Sequence, residues 1–161
     1  MAGVRAGGEG MGELGGVEDA PGCAVWAGER KWKLSELMRP NEDVPKMRMG
    51  LFPGWQKQYQ DKNVHTFEDL VRDHTAWVRA NSGVRSRLAD FPQATQFIGL
   101  YLKQDDVIVL YEGHYRAAAV ALAVYDGRPI PFLQNPTIAL TVVEGDAKPL
   151  LDHLFAHKSE A

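Results

Sequence analysis

Cysteine is almost missing from this chain: Cys23 is the only one among 161 residues, which excludes an internal disulfide framework and a cysteine-built zinc cluster. Long apolar runs are missing too. No segment approaches the roughly 20 apolar residues of a membrane-spanning helix, and the N-terminal stretch lacks the apolar h-region of a secretory signal. The expectation is a soluble cytoplasmic protein. Nor is there an excess of positive charge: a formal net charge of -3 gives no general field for DNA or RNA, because counterion release needs a concentrated basic surface. Two local basic groups stand out, one between Arg30 and Lys57 and one at Arg79, Arg85 and Arg87. No aromatic and basic stripe organises either, so both read as solvated faces.

Large apolar side chains are scarce at the start. Residues 1–22 hold glycine in clusters, Gly7-Gly8 and Gly15-Gly16, with no usable period, so ordering them costs more entropy than burial returns. They are expected to form a flexible leader, and residues 23–161 a single domain. An apolar content of 45% is enough for that domain to bury a core unaided.

What is present then falls into recognisable elements. Lys31 to Met38 alternates loosely and predicts a short strand that reaches a turn at Arg39-Pro40-Asn41. Trp55 and Tyr59 stand one helical turn apart and are expected to pack on the core. Thr66 with Glu68 and Asp69 predicts a capped helix start; Phe67, Leu70, Val71, His74, Trp77 and Val78 share one face, and Asn81-Ser82-Gly83 is the expected stop. His74 on that face reads as a hydrogen-bonded core residue.

Phe97–Leu102 and Val107–Tyr111 are rich in strand formers and are separated by a short polar link, Lys103 to Asp106, which predicts an antiparallel hairpin. The second strand runs into Gly113 and then into an Ala-rich helix, His114–Tyr125, with no wide polar face. Ile130–Phe132 and Ile138–Val143 are further strand candidates, the first restricted by Pro129, Pro131 and Pro136. Leu150, Leu151, Leu154 and Phe155 predict a short last helix. His153 and His157 have a spacing that two zinc ligands use, but no third ligand is identifiable, so no metal site is expected.

The junction at Gly113 carries the chemistry. A helix start exposes unpaired N–H groups and the positive end of its dipole, so Arg116 in the first turn asks for a negative partner. Two readings stand open. A phosphate supplies the charge, or Glu112 does, with the His114 ring merely capping the turn.

The order of two strands, Glu112-Gly113-His114-Tyr115-Arg116, Ala-rich helix and strand resembles the ParB/sulfiredoxin superfamily, loosely over Trp32 to Val143 and more closely over Phe97 to Val143. The resemblance implies an α+β domain: a small mixed sheet with a strand-turn-helix phosphate-binding junction. It implies a nucleotide ligand, ATP or CTP with magnesium, held by Gly113, His114, Tyr115 and Arg116. Glu112 and His114 become the catalytic candidates, Glu112 as a base or magnesium-linked carboxylate. Departures limit the likeness. Sulfiredoxins place a reactive cysteine within this turn, where this chain has His114 and Tyr115. ParB proteins usually show two adjacent arginines, and Tyr115 replaces the first. The residues after Val143 are too few for a helix-turn-helix region and a dimerisation domain, so a complete partition protein is not expected.

The leading expectation is therefore a nucleotide-binding domain that carries out phosphoryl transfer or nucleotide hydrolysis. The alternatives are a non-catalytic adaptor of the same fold, which meets a protein partner through Trp26, Trp32, Trp55, Trp77 and the Met38, Met47, Met49 region, or a DNA-associated accessory protein using Arg79, Arg85 and Arg87.

Overall fold

A computed structural model of the chain describes residues 4–6, 31–50, 55, 64–91 and 93–156. Six strands form one mixed sheet: β1 (Val4–Ala6), β2 (Lys33–Leu37), β3 (Arg48–Met49), β4 (Gln96–Leu102), β5 (Val107–Glu112) and β6 (Thr137–Val143), in the order β1-β2-β6-β4-β5-β3. The β4–β5 hairpin is antiparallel as its sequence predicts, with Asp106 at a positive φ of 51° and the Tyr101 hydroxyl donating to Asp106 Oδ1 at 2.7 Å across the link. β4 and β6 are parallel: β5 returns the chain to the end where β4 starts, and a helical crossover then connects β5 to β6, which begins beside Gln96. Within the expected leader, Val4–Ala6 pairs with β2 as an edge strand, so at least these residues join the sheet.

That crossover is α5 (His114–Tyr125), and the core grows around it. Ala117, Ala118, Ala119 and Val120 are fully buried, and small side chains let the sheet and neighbouring helices approach closely. Packed with it on one face of the sheet are α1 (Pro40–Asp43), α2 (Phe67–Asp73), α3 (Thr75–Ala80) and α4 (Ser82–Asp90). Phe97 from β4, Phe67 from α2 and Trp55 fill the space between these layers, each buried side chain contributing about 1.5–3 kcal/mol. On the other face Leu150 of α6 (Lys148–Ala156) joins Leu102, Val109 and Val143 in a smaller core. Among the described residues no helix is long and apolar enough to cross a membrane. The result is a small mixed α/β domain, as expected in outline.

Several local expectations are corrected. The turn at Arg39 to Asn41 is a one-turn helix with Pro40 in its first positions, where its missing N–H costs nothing. Thr66 caps α2 through a reciprocal box with Asp69, as predicted, but the helix breaks at His74 instead of running on. Asn81 does end α3, its N–H donating to the Trp77 and Val78 carbonyls, but the same residue opens another helix: its side chain accepts from the Val84 N–H at 3.2 Å and starts α4, with Gly83 inside. Ile130–Phe132 is not a strand. The Asn41 amide bonds both backbone groups of Ile130, at 2.8 and 3.0 Å, standing in for a strand neighbour that the flanking prolines preclude.

Candidate functional site

β5 ends at Glu112, and Gly113 reverses the chain into α5 with φ 106° and ψ 19°, a left-handed conformation that suits glycine alone. Its second reason lies below it. A Cβ here would stand 2.6 Å from Phe97 Cδ1, so the turn sits directly on the core. Gly113 at the N-cap position has no side chain of its own to cap the helix, and its carbonyl accepts the Ala117 N–H at 2.9 Å. The opening of α5 thus presents the positive end of its dipole to a hollow of about 180 Å³ lined by Arg87, Tyr111, Glu112, Gly113, His114, Tyr115 and Arg116.

Arg116 is held from three sides. Its NH1 donates to Thr95 Oγ1 at 3.0 Å, its NH2 donates to Glu112 Oε2 at 2.7 Å, and its guanidinium lies 5.6 Å from the Phe97 ring centroid. The internal pairing left open by the sequence is therefore real. It coexists with the hollow, because Glu112 reaches Arg116 from the exposed side while Thr95 and Phe97 support it from the inner side.

The ring of His114, expected to be a phosphate donor and a catalytic group, lies in the core. It is buried, packed edge-on against Phe67 and Trp55, and its Nε2 accepts the Gly50 N–H at 3.2 Å. Burial pushes its pKa down to about 4, so the ring is neutral at ordinary pH. Tyr115 is half-buried with its ring edge-on to Trp55, at 5.1 Å between centroids, which ties the first turn of α5 to the aromatic cluster.

The arginine that the sequence did not assign to this place is Arg87. It arrives from α4, because Gly83, one turn earlier, lets that helix lie against the Tyr115 ring; a Cβ at Gly83 would come within 2.3 Å of it. A glycine four residues before an arginine on one helix face is the signal that was available. Arg87 also reaches Asp90 at 3.5 Å, a weak and exposed pair.

Arg79 is committed to Asp126, the residue that ends α5, which splits the basic group read as a DNA contact. Met47, Met49 and Trp55 are core, not partner surface, and only Met38 of the three methionines is exposed. His74 Nε2 is buried with no hydrogen-bond partner, contrary to the satisfied core histidine expected there. Trp26, Tyr59 and the His153–His157 pair lie outside the described side chains. Among the described residues no group of three or more His, Cys, Asp or Glu is gathered for a metal ion. Compared with known proteins, the chain matches no family model, no curated protein and no solved structure.

Proposed function

We propose that the protein binds the phosphate of a nucleotide, ATP or CTP, at the start of α5. The observation that carries this reading is the pair Arg87 and Arg116, brought from two helices to one hollow that also receives the start of α5 and, among the described residues, is lined by a single acid, Glu112. Guanidinium groups suit the task because their fixed fork of donors matches phosphate oxygens. A hollow of about 180 Å³ takes a phosphate group but falls short of the roughly 300–1,000 Å³ that encloses a whole small-molecule ligand, so ribose and base rest outside it. The hairpin leading through Gly113 into an Ala-rich helix supports a ParB/sulfiredoxin-like architecture as part of the same proposal.

Phosphoryl transfer or hydrolysis is the catalytic form of this reading. Magnesium is commonly held by one or two carboxylates together with phosphate oxygens, and Glu112 is the carboxylate in place for that. Binding without turnover is favoured by a specific observation: His114, the other catalytic candidate, is buried with its Nε2 taken by the Gly50 N–H. Melting curves with ATP and CTP, each with and without magnesium, test binding, since a ligand of the native state alone raises Tm. Release of inorganic phosphate tests turnover. A wild-type protein whose Tm ignores both nucleotides removes the proposal.

A further inference from the structure

The anchoring of Arg116 is asymmetric, and the asymmetry says how a ligand would enter. Thr95 Oγ1 accepts from NH1 and the Phe97 ring lies beneath the guanidinium; both are uncharged, and Phe97 is fully buried. Glu112 accepts from NH2, and it is the more exposed partner, with 55% of its side chain open to solvent against 24% for Arg116. Without Glu112 the guanidinium keeps Thr95 and Phe97 as anchors. Glu112 takes an N–H donor at the outer edge of the guanidinium, so a phosphate gripped there by two oxygens competes with it for Arg116.

We propose that Glu112 is a built-in counter-anion: it occupies Arg116 in the empty protein and gives up that place to an incoming phosphate, swinging into solvent. This rests on the reading of the hollow as a phosphate site. The exchange is inexpensive on the protein side, because a partly exposed ion pair contributes little and Glu112, the last residue of β5, is already more than half open to solvent. Its consequence is selectivity for charge. A dianionic terminal phosphate replaces one carboxylate with a net gain of attraction from Arg87, Arg116 and the helix end, whereas a singly charged group merely substitutes for what is already there.

Titration of the full chain with inorganic phosphate at constant ionic strength, read by the shift in Tm, tests the exchange. Glu112→Gln should bind phosphate about 3- to 10-fold more tightly than wild type, the range expected when a weak ion pair no longer competes. Glu144→Gln removes the same charge from the exposed partner of Lys103 and should leave phosphate affinity unchanged. Equal tightening in both variants assigns the effect to net charge and overturns the proposal. Unchanged or weaker binding in Glu112→Gln also overturns it, while the phosphate reading itself stands if Arg87→Ala weakens wild-type binding. Absence of any phosphate response in wild type and in all three variants overturns both.

Discussion

The backbone N–H of Gly50 donates to Nε2 of His114 at 3.2 Å, joining the segment after β3 to the first residue of α5 inside the core. The bond needs the imidazole lone pair, so it exists only with an uncharged nitrogen at that place. An unfolded histidine titrates near 6.5, and burial takes His114 down to about 4 in the folded protein. Between these values the unfolded chain holds the proton and the folded one does not, so stability rises with pH across the window and is fully present above 6.5. Acidification from 6.5 towards 4 should remove on the order of 3 kcal/mol. Urea melts across that range measure it. His114→Gln, which keeps an acceptor for Gly50 but cannot charge, should flatten the slope; an unaltered slope would assign the acid sensitivity to other groups.

Gly113→Ala should destabilise the fold by about 1–3 kcal/mol, because φ is 106° and the new Cβ would press on Phe97. Combining it with Phe97→Leu separates the causes. The clash is relieved in that background and the backbone strain is not, so the double variant should show partial coupling in denaturant melts. Full additivity would mean that contact with Phe97 plays no part.

How much of this was legible in the residues depends on how far each contact reaches along the chain. The hairpin, Gly113 and α5 could be read because strand formers, a polar link and a glycine follow one another without interruption. The Glu112–Arg116 pair is also local, and it appeared among the open alternatives. The orientation of His114 was not legible. A helix apolar on nearly every side has no polar face against which a first-turn residue can be assigned inward or outward. β3 is two residues long, too short to display a period, and the arrival of Arg87 depends on how α4 packs on α5. The break at His74 escaped for another reason: the apolar face continues through it, while the Thr75 hydroxyl turns back to the Val71 carbonyl.

Gly83→Ala reverses an ordinary expectation. Inside a helix this change usually stabilises by about 1 kcal/mol. Here the methyl would meet the Tyr115 ring, which is backed by Trp55 and has little room to move. We expect a loss of about 1–3 kcal/mol from overpacking. Displacement of α4 should also carry Arg87 away from the hollow, so phosphate affinity should fall with stability. Stability that rises, with phosphate binding intact, would show that the Gly83–Tyr115 contact does not set the helix position.

Arg87 and Arg116 face the same hollow but stand differently in the fold, and substitution to alanine should separate binding from stability. Half of the Arg87 side chain is exposed and its pair with Asp90 is long, so Arg87→Ala should change stability by no more than about 0.5 kcal/mol. Arg116→Ala removes the Thr95 bond and the cation over Phe97 and leaves Glu112 without its partner, which should cost about 1–2 kcal/mol. Both should weaken phosphate binding, because each supplies a guanidinium to the anion. Chemical denaturation alongside phosphate titration of the two variants gives all four quantities. If Arg116→Ala lowers stability as expected while phosphate affinity stays at the wild-type value, the arginine serves the core alone and the hollow loses its principal donor.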